Sequence, residues 1–145
     1  MLTSSIGNVS KRFVPGALDS FWSAKFAKAL TGAGAPWSTV LGHELEIVPL
    51  GDPAAAKPGQ SVRVRLLFRG RPLAGAQVER GDGLTVMKEE DIPRFPTDGD
   101  GITVIPMVKP GRVLLAVDHR ATPSLTPDLA ATDLFNATLW FVAGK

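Results

Sequence analysis

Ser61-Val-Arg-Val-Arg-Leu-Leu-Phe68 alternates apolar and polar side chains with a period close to two. Successive side chains of an extended strand point to opposite faces, so this string predicts Val62, Val64, Leu66 and Phe68 facing a core and Arg63 and Arg65 facing water. Upstream, His43-Glu-Leu-Glu-Ile-Val48 alternates in the same way until Pro49, and residues 51–59 read as a Pro- and Gly-rich loop. Downstream, Gly70-Arg-Pro-Leu-Ala-Gly75 is a turn, residues 76–80 are a short strand, and residues 84–88 are a weaker pairing segment. Residues 91–96 form an irregular loop around two prolines. Asp98-Gly-Asp-Gly101 makes a tight turn into a strand over 102–106, and Lys109-Pro-Gly111 makes another into a strand over 112–119. A Pro-broken loop then runs to about Asp133, and residues 136–142 form the last strand. Short strands punctuated by Gly and Pro predict an all-β fold, an antiparallel β-sandwich over residues 43–145. Its expected core is Val62, Val64, Leu66, Phe68, Val78, Val104, Val113, Leu115, Val117, Leu139 and Phe141.

Residues 1–42 read differently, as an N-terminal segment with a helix and a linker. Asp19-Ser20 supplies an N-cap, and Phe21, Trp22, Phe26, Ala29 and Leu30 fall near one face at helical spacing before Gly32. Thr31 to Ser38 is a Gly/Ala/Pro linker. A helix of about twelve residues is marginal alone, so its apolar face is expected to dock. Docking on the same chain is the expectation, and docking on a neighbouring chain would make a homodimer.

Composition excludes several chemistries. The chain has 145 residues and no Cys, which removes disulfides, thiolate metal sites and cysteine nucleophiles. Residues 1–42 carry a net charge of +3 and residues 43–145 a net of −1, so there is no broad basic field and nucleic acid is not an expected partner. No apolar run approaches the roughly 18 residues a membrane helix needs, so membrane insertion is not expected. Residues 1–12 do not read as a signal peptide, which leaves a cytosolic protein or a fragment whose leader lies upstream. No nucleophile elbow, phosphate-binding loop or dinucleotide fingerprint occurs, and the expectation is a protein that is not an enzyme.

His43 and His119 are the candidate metal ligands, because imidazole suits nickel, cobalt or zinc. Their neighbours Glu44 and Asp118 point to the opposite strand face, so a site requires the two imidazoles to meet at strand ends. Asp98-Gly-Asp-Gly101 resembles part of a calcium loop, but Pro96 stands where a ligand is required, and a turn is the better reading. Arg63, Arg65, Arg69 and Arg71 form a basic stripe, expected to face Glu44 and Glu46 across the ladder on the solvent side.

Leu41-Gly-His-Glu-Leu-Glu-Ile-Val-Pro-Leu50, the string from Gly59 to Val78, Thr97-Asp-Gly-Asp-Gly101, Pro110-Gly111 and Ala137-Thr-Leu-Trp-Phe141 occur in this order. Together they resemble the carboxy-terminal half of a periplasmic family of unknown function linked to nickel and cobalt uptake, the NikM-like family, over roughly residues 20–142. Gly70-Arg-Pro-Leu-Ala-Gly-Ala-Gln-Val78 with the later turns is also shared with transthyretin-like sandwiches. The resemblance implies an Ig-like/transthyretin-like domain, export to the periplasm, and an accessory binding module of a nickel/cobalt uptake system. A protein partner and nickel or cobalt as bound metal follow from the same resemblance. The competing expectation is a generic Ig-like module for adhesion or carbohydrate binding.

Overall fold

The computed structural model describes residues 3–4, 7–8, 10–32 and 34–144, with side chains described from Ser10 onward. Its strands are β1 (Thr3–Ser4), β2 (Gly7–Asn8), β3 (Phe21–Ala29), β4 (Leu45–Pro49), β5 (Ser61–Phe68), β6 (Arg71–Pro72), β7 (Gln77–Gly81), β8 (Arg94–Pro96), β9 (Ile102–Pro106), β10 (Gly111–Ala121) and β11 (Thr132–Ala143). One sheet runs β3-β11-β10-β7-β8; in the other, β5 pairs with β4 on one edge and with β6 and β9 on the other. β1 and β2 pair antiparallel with each other. The two larger sheets lie in a sandwich-like arrangement around one core, and among the described residues no helix is long and apolar enough to cross a membrane.

The alternation of β5 sets that core. Val62, Val64 and Leu66 are 4% exposed or less, and the inward positions of β10 and β11 answer them with Val113, Leu115, Val117, Phe135, Ala137, Leu139 and Phe141. β10 and β11 pair antiparallel from Gly111↔Ala143 to Ala121↔Asp133, which makes this hairpin the spine of the larger sheet. The loop that joins them is braced by the buried Asp133 carboxylate, which accepts from Ser124 Oγ at 2.6 Å and from the Leu125 N–H at 2.9 Å. The Asp98–Gly101 turn carries the chain from β8 in one sheet to β9 in the other, and Asp98 Oδ1 accepts from the Asp100 and Ile102 N–H groups. Gly101 has φ +71°, and a Cβ there would lie 2.7 Å from the Leu66 carbonyl oxygen, so the crossing requires glycine.

Two expectations are corrected here. Val104 is 52% exposed and does not belong to the core. β9 pairs with β5 in a register that sets Thr103 opposite Val64 and Ile105 opposite Val62, which leaves Val104 beside Arg63 on the outer face. The larger correction is the N-terminal helix. Residues 21–29 form strand β3, paired in parallel with β11 from Phe21↔Thr132 to Ala29↔Trp140. The ladder continues with the Leu30 N–H donating to the Trp140 carbonyl at 2.9 Å.

The inward residues of β3 are Ala24, Phe26, Lys28 and then Leu30, a period of two interrupted by a lysine. Lys28 mimics a surface residue in sequence and is buried in the fold. Its Nζ lies 2.6 Å from Glu46 Oε1 and 3.0 Å from the Thr39 carbonyl oxygen. The Glu46 carboxylate also accepts from the Leu41 N–H at 2.7 Å and the Gly42 N–H at 3.1 Å. Both side chains are almost fully buried, at 8% and 2% exposure. Burial pushes the Glu46 carboxyl up, but the Leu41 N–H, the Lys28 ammonium and the Gly42 N–H outweigh it and hold its pKa below the ordinary value.

Truncating Leu115, which is fully buried, to Ala should lower unfolding free energy by about 2–5 kcal/mol in denaturant titration. Lys28→Met should cost about 3–5 kcal/mol, since it strands a buried carboxylate, and Lys28→Met with Glu46→Leu should regain most of that loss. Because the folded Glu46 pKa is lowered, its contribution is complete above the ordinary value of 4.5 and is lost as pH falls through the folded value. The parent should therefore lose stability on acidification more steeply than the double variant, as read by melts between neutral and acid pH.

Candidate functional site at the histidine end of the sandwich

His43 precedes β4 by two residues, and His119 sits near the end of β10, opposite Phe135. Leu45 of β4 pairs with Phe68, the last residue of β5, so both histidines arrive at the same end of the sandwich. Each imidazole rests on a core ring. His43 stacks on Phe26 with centroids 5.2 Å apart and an interplanar angle of 26°. His119 meets Phe68 at 4.5 Å, and Phe68 meets Phe135 at 5.1 Å, both edge-on. Phe68 and Phe135 make one edge-on pair that carries His119, and Phe26, packed against the same core, carries His43.

Charge is added by one ion pair. Arg69 follows β5 with φ +53°, and its N–H donates to the Glu44 carbonyl oxygen at 2.7 Å. Its guanidinium gives Nε at 3.2 Å and Nη2 at 2.8 Å to the same Glu44 Oε2, and its Cζ stands 5.1 Å from the Phe68 centroid. The two side chains are 41% and 47% exposed, so the pair is worth about 0–1 kcal/mol and serves mainly to orient the groups around the imidazoles. Burial lowers the His119 pKa from its ordinary 6.5, which keeps that imidazole neutral at neutral pH.

The arginine stripe does not behave as a unit. Of the expected pairings, Glu44 takes Arg69 rather than Arg63 or Arg65, and Glu46 turns to buried Lys28 instead of facing the stripe in solvent. Register explains this, because Glu46 lies opposite Leu67 and Arg65 lies opposite Val48. Arg63, Arg65 and Arg71 have no acidic partner among the described residues. The sequence marks Phe68 only as core and Arg69 only as part of the basic stripe, and it does not place Phe26 or Phe135 beside the histidines. Only the neighbourhood of Phe68-Arg69 at the end of a strong strand, and of His43-Glu44 before another, marks them as strand-end groups that could meet. No three His, Cys, Asp or Glu side chains among the described residues converge to hold a metal ion.

Comparison with curated proteins and with solved structures gives no match. The model of one protein family does match, over residues 8–121, and its description is a domain of unknown function (DUF4198). That span takes in β3, both faces of the core through β10, and the two histidines with Phe26 and Phe68. Since the match covers most of the sequence, the chain belongs to the DUF4198 family.

Proposed function

We propose that the chain is a non-enzymatic accessory binding module that works through its histidine end, in the setting of nickel or cobalt uptake in the periplasm. The observation that carries this reading is the arrival of His43 and His119, 76 positions apart in sequence, at one end of the sandwich, each on a phenylalanine packed against the same core. Neutral imidazole is a good ligand for first-row divalent metals, and the lowered His119 pKa favours the form that can bind. Two imidazoles leave most of an ion's coordination positions open, so tight chelation by this chain alone is not expected. A second protein supplying the remaining ligands would make the pair a hand-over contact, with the Arg69–Glu44 pair as its polar margin. The reading of the sandwich as Ig-like/transthyretin-like rests on the Gly70–Val78 string and its turns.

Calorimetric titration of the chain with nickel chloride at neutral pH tests this. A weak isotherm, with a dissociation constant above the micromolar range, is expected, and both His43→Ala and His119→Ala should diminish it. Acidification through the imidazole range should weaken it further, because protons compete for the ligand nitrogens. A submicromolar stoichiometric isotherm would show a self-sufficient metal site, and an isotherm indifferent to both substitutions would put the metal elsewhere. Either result defeats the proposal.

A further inference from the structure

The stack of His43 on Phe26 joins two elements that share no ladder. Phe26 lies on β3 in the larger sheet, and His43 lies just ahead of β4 in the smaller one. Each half of the stack is followed at short range by one half of the buried ion pair. Lys28 follows Phe26 by two residues, on the same inner face of β3, and Glu46 follows His43 by three. Alternate residues of a strand stand about 6.6 Å apart on one face, so fixing Lys28 also fixes the Phe26 ring beside it.

The Glu46 carboxylate does more than meet the ammonium. Its Oε1 accepts from the Leu41 N–H and its Oε2 from the Gly42 N–H, and Lys28 Nζ reaches on to the Thr39 carbonyl oxygen. Two successive N–H groups turned to one anion make a nest, which calls for a residue in the left-handed region. Gly42, at φ +81°, supplies it. Beyond its chain neighbours no atom lies within 4 Å of where a Gly42 Cβ would stand, so glycine is needed there for its backbone angle alone. On the other side of His43, the Glu44 carbonyl oxygen accepts from the Arg69 N–H. The His43 backbone is therefore held from both sides. Its ring makes no hydrogen bond among the described residues, so the stack and the backbone alone set its place, with both ring nitrogens open.

We propose that Glu46 is a positioning residue for His43: its buried carboxylate, held by Lys28, gathers the Leu41 and Gly42 N–H groups and thereby seats the imidazole on Phe26. The inference rests on the proposed use of His43 as a metal ligand, and it names the group that keeps that ligand in place. An apolar pair of similar volume would fill the same space, and a buried ion pair adds little net stability over one. What an apolar pair cannot supply is an acceptor for the two N–H groups ahead of His43. A seated imidazole meets a metal without first paying the entropy of ordering residues 39–43, so loosening that segment weakens the metal contact without removing a ligand.

NMR of the metal-free chain tests this, with Lys28→Met plus Glu46→Leu as the variant that keeps the space filled. The His43 ring protons, shielded by Phe26 in the parent, should move to the values of an unstructured histidine. The Leu41 and Gly42 amides should exchange at least about tenfold faster. His119, seated on Phe68, is the internal control, and its ring signals should stay in place. Nickel titration of the same variant should give the diminished isotherm of His43→Ala. Gly42→Ala strains the nest without a steric clash and should move the His43 signals in the same direction, and it decides the matter if the double variant does not fold. A folded variant that keeps the parental His43 shifts, or one that binds nickel as the parent does, overturns the proposal. A parent that binds no nickel defeats the metal reading alone, because the ring shifts and exchange rates are read without metal.

Discussion

The buried ion pair between Lys28 and Glu46 is the constraint on which the arrangement of the chain's first third depends. It joins an edge strand of the larger sheet to an edge strand of the smaller one, and two further N–H groups, from Leu41 and Gly42, converge on the same carboxylate. Relative to a well-packed apolar pair, such a pair adds little net stability. Its effect is geometric. Sliding β3 by one residue along β11 would turn Lys28 to the opposite face and leave Glu46 buried without its cation, at a cost of several kcal/mol. The register of β3, and with it the placement of Phe26 beneath His43, is therefore tied to one charge meeting another. The Lys28 ammonium donates to the Thr39 carbonyl and the Glu46 carboxylate accepts from the Leu41 and Gly42 N–H groups, so the connection between the sheets is pinned just before it enters β4.

With that crossing fixed, the two ends of the interlayer space acquire opposite characters. One end is closed by aromatic rings with imidazoles laid on them and a single exposed ion pair at the margin. The other is a small apolar-floored cleft rimmed by Arg80, Lys109 and Arg112. The loop beside that cleft is clamped by its own first residues. Asp82 gathers the N–H groups of Leu84 and Thr85, and Gly83 sits so close to Trp140 that a Cβ would fall 2.1 Å from the indole ring. Glycine there lets the backbone lie flat against the Trp140 ring. Both ends draw their side chains from strand termini, where the rigid ladder supplies position and the lost pairing partner supplies exposure.

The strands that alternate cleanly are legible from sequence because burial on one face and water on the other impose a period of two on the residues themselves. Residues 61–68 carry that pattern and form β5, and nine of the eleven side chains assigned to the core are buried, with Phe68 partly so and Val104 outside. Val104 fails for a reason that no window of sequence contains. Whether Thr103 or Val104 faces inward is decided by the register of β9 on β5, a choice between two neighbouring apolar-compatible phases. His43 and His119 were visible as strand-end imidazoles, but the seating of His43 on Phe26 required knowing that Phe26 belongs to a strand.

The segment at 21–29 marks the boundary between the two kinds of information. Its aromatic and alanine spacing satisfies a helical face as well as a strand, and the residue that would break the tie, Lys28, has the polarity of a surface position. What settles its conformation is the open edge of β11, a twelve-residue strand whose outer N–H and C=O groups lack partners until β3 supplies them, together with a carboxylate waiting across the sheet boundary. By itself the sequence determined an all-β chain, the strands with clean alternation, the turns that require glycine, and the absence of thiol chemistry. Tertiary structure decided the helix-or-strand choice at 21–29, the inward phase of β9 and the seating of the two histidines on core phenylalanines. Each of these depends on a backbone edge or a charge supplied by residues far away in the chain, and local periodicity carries no record of either.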